Sequence, residues 1–133
     1  MPEDVHIAIN SDKDIVLARQ AGRSLALQLH FSISEATLIA TAISELSRNI
    51  LLYAGTGIVT LKAIHGSGRV GLMMVATDTG PGISDVARAM RDGFSSSGGL
   101  GLGLPGVRRL MDEFDIRSEL GRGTTVTGKK WQL

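Results

Sequence analysis

Apolar positions along the chain switch between a two-residue and a three-to-four-residue beat, and each switch marks a new element. Val5, Ile7 and Ile9 alternate with His6 and Ala8, the period of a short strand. "NSDKD" follows, with Ser11 and Asp14 in the spacing of a capping box that opens a helix. Ile15, Ala18, Gly22, Leu25 and Leu29 then recur as one face of that helix. A second box, Ser32 and Glu35 in "SISE", opens another helix. Its stripe of Ile39, Ile43, Leu46, Ile50 and Tyr53 predicts a run to about Ala54.

"AGTG" stops the second helix, and two β-type runs follow, "IVTLKAI" (58–64) and "VGLMMVAT" (70–77), joined by a Gly-Ser-Gly turn at 66–68. The second run is almost wholly apolar, as in a strand at the middle of a sheet. Beyond "DTGPG" the pattern predicts a weak helix around Val86–Met90, then a glycine stretch. Val107, Leu110, Met111 and Phe114 predict a last, long helix, and "FDIRSELGRGTTVTGKKW" two strands around a Gly-Arg-Gly turn. The order βααββ(α)αββ predicts one domain over residues 1–133. Its expected class is α/β (α+β), a two-layer sandwich with a mixed sheet, helices on one face and chemistry in the loops.

Composition narrows the function classes. A net charge of +1 gives nucleic-acid binding no electrostatic support, and aromatics at 4% leave little for base stacking. No apolar run reaches membrane-spanning length, so neither nucleic acid nor membrane is an expected partner. The absence of cysteine rules out thiolate metal sites and suits a cytoplasmic setting. His6, His30 and His65 are scattered and form no sequence cluster.

Candidate chemistry gathers in four places. In "DGFSSSGGLGLGLPGVRRL" (92–110), Gly101, Gly103 and Gly106 satisfy G-x-G-x-x-G, but no strand leads directly into them, and no G-K-[ST] makes a P-loop. What survives is a run of backbone N–H groups ahead of a helix start, with Pro105 in the first turn, an arrangement suited to anions. A flexible surface loop reads equally well there. Asp78, in "DTGPG" at a strand end, offers acceptors only, which suits an exocyclic amine such as that of adenine; a turn-initiating Asp is the plainer reading. Glu45 and Asn49 in "ELSRN" lie one helical turn apart. Asn49 offers an amide oxygen for Mg²⁺ and Glu45 a proton acceptor, against a surface Glu45–Arg48 pair with a solvated Asn49. "GRGTT" (121–125) is a tight turn with a hydroxyl behind it.

In that order, E-x-x-x-N, D-x-G-x-G, G-x-G-x-G and G-x-G-T resemble the GHKL ATPase/kinase superfamily and its Bergerat ATP-binding fold, from the second helix to the last strand. The resemblance implies ATP and Mg²⁺, with Glu45 as catalytic base and Asn49 as metal ligand. It further implies that Asp78 reads adenine beside Gly80, Gly82 and Ile83, that Gly99, Gly101, Leu102 and Gly103 meet the phosphates, and that Thr124 supports the adenine end. Residues between Gly82 and Gly99 would form a lid. "ISELSRNILLYAGTG", "DTGPGI" and the glycine stretch resemble the RsbT-type serine/threonine switch kinases of bacterial stress signalling. That implies STAS-domain scaffold or antagonist proteins as substrates, and a downstream effector such as a PP2C-type phosphatase. Anti-sigma-factor kinases share these motifs but commonly carry a histidine shortly after the Asn, where "ILLYAG" stands here. An ATP-dependent binding protein with little catalysis is the alternative from another class. A histidine kinase domain lacks support, because no dimerisation helix with a phosphoacceptor histidine precedes the ATP motifs.

Overall fold

The second capping box forms in full and the first through its acidic member. In the computed structural model, which describes residues 2–83, 90 and 103–133, the Asp14 carboxylate accepts the backbone N–H groups of Asn10 and Ser11 at the start of α1 (Asp12–Gln28). Ser32 Oγ accepts the Glu35 N–H at 3.1 Å, and Glu35 Oε1 accepts the Ser32 N–H at 3.2 Å, opening α2 (Ile33–Tyr53). Each bond satisfies a backbone donor that a helix start otherwise leaves unpaired. The helices pack on each other, α1 through Ile15, Ala18, Gly22 and Leu25, α2 through Ile39, Ile43, Leu46 and Ile50, all buried.

β1 (Val5–Ile9), β2 (Gly57–Gly66), β3 (Arg69–Asp78), β4 (Glu113–Glu119) and β5 (Gly123–Trp131) form one sheet in the order β1-β2-β3-β5-β4. Ile9, Val59, Leu61, Leu72, Met74, Ala76 and Val126 face the helices and are buried with them in a common core. The two-layer α/β expectation holds. Its mixed sheet does not: each of the four pairings is antiparallel. The cause is topological. A strand–helix–strand run from β3 to β4 would be parallel if the two were neighbours, but β5 folds back between them and pairs antiparallel with both.

Two boundaries also differ from expectation. The β2–β3 loop is Ser67–Gly68 alone, with φ of 51° and 77°, the left-handed pair of a two-residue hairpin turn, and Gly66 belongs to β2. The final helix, α3 (Gly103–Leu110), is short, and Phe114 lies in β4. There β5 captures the backbone: Asp112 N–H donates to Lys129 O at 2.8 Å, and Lys130 Nζ to Leu110 O at 3.1 Å. From Glu113 to Glu119 the burial then alternates with the period of a strand. Of the helix expected around Val86–Met90, all but Met90 lies outside the described residues, as does most of the expected lid. No described helix is long and apolar enough to cross a membrane.

Candidate functional site

The facing parts of α2, β3 and β5 and the start of α3 line a narrow cavity that opens to solvent. Leu46, Ile50, Ala76, Ile83, Leu104 and Val126 make its walls apolar, and Asn49, Asp78 and Thr124 bring the polar atoms. Sequence separates these three by up to 75 positions; the β3–β5 register sets Asp78 directly opposite Thr124.

Asp78 is 9% exposed, and its two oxygens are in different states. Oδ1 accepts the backbone N–H of Gly80 at 2.9 Å and that of Thr124 at 3.3 Å. Oδ2 has no hydrogen-bond partner among the described residues. Two N–H groups therefore fix the carboxylate plane and leave one oxygen to accept from whatever fills the cavity.

Asn49 is oriented in the same way. Its Nδ2 donates to the Glu45 carbonyl at 2.9 Å, so Oδ1 is turned away from that carbonyl and stays uncommitted. A hard oxygen of this kind suits Mg²⁺. Among the described residues no group of three or more His, Asp or Glu could hold a metal, so an ion at Asn49 would draw its other ligands from phosphates and water. Glu45 is 5% exposed and ion-paired through Oε1 to Arg48 Nη1 at 2.7 Å. The i,i+3 pair thus forms, with its acidic member buried. Glu45 is not among the cavity's lining residues; it lies one helical turn from Asn49.

The remaining expected residues divide. Ile83 lines the cavity, whereas Gly80 and Gly82 do not. Both glycines are demanded by backbone packing: a Cβ on Gly80 would lie 2.5 Å from Ala54 Cβ, and one on Gly82, at φ 81°, would lie 2.4 Å from Glu119 O. They press the loop after β3 onto the end of α2 and onto the β4–β5 hairpin. Gly103 is buried at the first position of α3, directly before the lining residue Leu104, and Pro105 follows in the first turn. Gly99, Gly101 and Leu102 lie outside the described residues.

Two residues join the site that motif reasoning did not single out. Tyr53, expected only as part of the buried stripe, lines the cavity one turn beyond Asn49, and burial raises its phenol above the ordinary value of 10.0. Ser118, inward-facing on β4, accepts the Ile83 N–H at 2.7 Å and sits 2.8 Å from Thr124 Oγ1. A lone serine in an alternating strand carries no motif; its only signal is a polar side chain on the inward beat of "FDIRSE".

Residues 34–132 match the family model described as histidine kinase-, DNA gyrase B-, and HSP90-like ATPase. The chain is 51% identical over 125 residues to the serine/threonine-protein kinase RsbT of Bacillus subtilis (strain 168), covering 94% of each chain. It is also 31% identical over 120 residues to the anti-sigma F factor of Thermoanaerobacter sp. (strain X514), covering 86% of this chain and 82% of that one. The anti-sigma F factor of Geobacillus kaustophilus (strain HTA426) is 30% identical over 138 residues, covering 98% and 93%.

Proposed function

Because the chain belongs to the histidine kinase-, DNA gyrase B- and HSP90-like ATPase family, with the serine/threonine kinases as its kin, we propose that its cavity binds ATP and that the γ-phosphoryl group passes to a STAS-domain partner. One observation carries this reading: Asp78, Asn49 and Thr124, from three elements, line a single apolar-walled cavity, with Asp78 Oδ1 and Asn49 Nδ2 each held by backbone groups.

Asp78 Oδ2 accepts a hydrogen bond from the exocyclic amine of adenine, while Leu46, Ile50, Ala76 and Val126 cover the base. Asn49 Oδ1 is the protein's ligand to Mg²⁺. The ion, when bound, neutralises phosphate charge. Gly103 and the glycines before it bring backbone N–H groups to the phosphates. In the transfer, the oxygen of a serine or threonine bonds to the γ-phosphorus as the bond to the bridging oxygen of ADP breaks. Glu45 takes the hydroxyl proton, with Arg48 holding its other oxygen in place.

The substrate is a STAS-domain scaffold or antagonist protein in a partner-switching pathway, and the released kinase engages an effector such as a PP2C-type phosphatase. The closer kinship to a serine/threonine kinase than to these anti-sigma factors supports that branch. Residues 1–133 act as one domain, in the cytoplasm. Incubation with γ-labelled ATP, Mg²⁺ and STAS-domain proteins encoded beside this gene tests the reading. Label should move to a serine or threonine of one of them, and Asn49→Ala should lower the rate at least a hundredfold. Wild-type transfer by Asn49→Ala, or no transfer by the parent chain to any of them, overturns it.

A further inference from the structure

Ser118 stands across the β4–β5 ladder from Thr124, with its side chain on the helix-covered face of the sheet. Its Oγ has three neighbours: Ile83 N at 2.7 Å, Thr124 Oγ1 at 2.8 Å and Gly123 O at 3.3 Å. A serine hydroxyl carries one proton and two lone pairs. The Ile83 N–H takes one lone pair, because an amide nitrogen can only donate. The proton can go to Gly123 O or to Thr124 Oγ1, but not to both.

The two arrangements give the cavity opposite characters. If Ser118 donates to Gly123 O, Thr124 must donate to Ser118, and only lone pairs of Thr124 face the cavity. If Ser118 donates to Thr124, the Thr124 proton is free to enter the cavity. Distance makes the second cheap: the 2.8 Å Ser118–Thr124 bond forms either way, and the contact given up, 3.3 Å to Gly123 O, lies beyond the ordinary O–H···O range. Electrostatics decide for it. Thr124 sits against Asp78, whose Oδ1 already accepts the Thr124 N–H, and a second set of lone pairs beside that carboxylate would repel it.

We infer that Ser118 is a positioning residue that fixes base specificity, by donating its proton to Thr124 so that the Thr124 hydroxyl donates into the cavity beside the accepting Asp78 Oδ2. The inference rests on the adenine-site reading above and adds a determinant to it. A donor next to an acceptor matches adenine, which offers a ring-nitrogen acceptor (N1) next to an amine donor (N6), reached directly or through one water. Guanine offers the reverse on that edge, N1–H as donor and O6 as acceptor, so both bonds fail together. Ser118 also ties the Ile83 N–H to the same oxygen, so the loop after β3 and the hydroxyl are set by one side chain.

The test measures affinities of the full chain for three nucleotides with Mg²⁺: ATP, 1-deaza-ATP, which lacks the N1 acceptor, and purine riboside triphosphate, which lacks the 6-amine. The parent protein should bind 1-deaza-ATP about tenfold more weakly than ATP, the loss of one hydrogen bond. In Ser118→Ala the Thr124 hydroxyl is no longer held, and that ratio should fall to about threefold or less. Ser118→Thr should restore it, and Ser118→Cys, with a weak S–H donor of similar shape, should lie between. The penalty for losing the 6-amine should be the same in all four proteins. A purely structural role would weaken all nucleotides equally and leave the ratios unchanged, which would overturn the inference. Absence of a 1-deaza penalty in the parent protein would do so too. Should Ser118→Ala fail to fold, the Thr and Cys variants carry the same comparison. Absence of a 6-amine penalty in the parent protein would instead remove the Asp78 reading, so the two failures are separable.

Discussion

Replacing Asp78 by asparagine alters one atom and isolates the proposed contact to the base. The carboxylate's Oδ1 accepts two backbone N–H groups, from Gly80 and Thr124. An asparagine must keep its carbonyl in that position, because the flipped rotamer would set an NH₂ against two N–H donors. Its amide nitrogen therefore replaces Oδ2 and faces the cavity as a donor. The adenine amine loses a charge-assisted bond of roughly 1.5–3 kcal/mol and meets a like donor at a cost of about 1 kcal/mol more. The sum, about 2.5–4 kcal/mol, corresponds to a roughly sixtyfold to thousandfold weaker ATP binding. The fold should lose only about 1 kcal/mol, since shape is kept and both backbone bonds persist in weaker, uncharged form. Calorimetric titration with Mg·ATP gives the affinity, and denaturation without nucleotide gives the stability. An Asp78→Asn protein that is folded and binds ATP within about threefold of the parent would refute the reasoning.

Three further substitutions probe other parts of the frame. Gly80→Ala places a methyl 2.5 Å from Ala54 Cβ and 2.9 Å from Ala54 Cα; it should cost about 1–3 kcal/mol in chemical denaturation and weaken ATP binding as the loop shifts, and an unchanged midpoint would show that the loop yields freely. Ser32→Ala removes the acceptor for the Glu35 N–H and should lower stability by about 1 kcal/mol without affecting nucleotide affinity, both measurable in one pair of titrations. Tyr53 has its phenol raised above 10.0 by burial, so the native state favours the neutral form. That contribution is complete below about pH 10 and is lost as pH rises through the native value. Tyr53→Phe should therefore lose less stability than the parent between about pH 10 and pH 12, and parallel curves would contradict this.

The helical layer was legible because it is local. Capping boxes at Ser11 and Ser32 and the stripes of α1 and α2 depend on neighbours within four residues, and periodicity reports those directly. Strand pairing is not local. That β5 inserts between β3 and β4 is settled by contacts across the whole sheet, so the β2–β3 and β4–β5 hairpins could be read from their turns but the pairings of β1 with β2 and of β3 with β5 could not. Phe114 shows the same limit: it fits the stripe of α3 and the alternation of β4, and the capture of Asp112 by Lys129 decides for the strand.

At the site, Asp78 and Asn49 were visible because their motifs carry chemistry, and both line the cavity. Gly80 and Gly82 were expected against the base; their backbone also lies so close to Ala54 and to the Glu119 backbone that a Cβ at either would collide. Tyr53 and Ser118 were illegible as site residues. One was hidden in an apolar stripe, and the other's three hydrogen-bonding neighbours come from the loop after β3 and from β5.

The central claim is that one cavity holds the nucleotide by its amine edge and its metal. A crystal structure with Mg²⁺ and a non-hydrolysable ATP analogue tests it most directly. The account predicts the adenine amine about 3 Å from Asp78 Oδ2, and the ion coordinated by Asn49 Oδ1 at about 2.1 Å. A nucleotide seated elsewhere, or one whose base turns its amine away from Asp78, would contradict it.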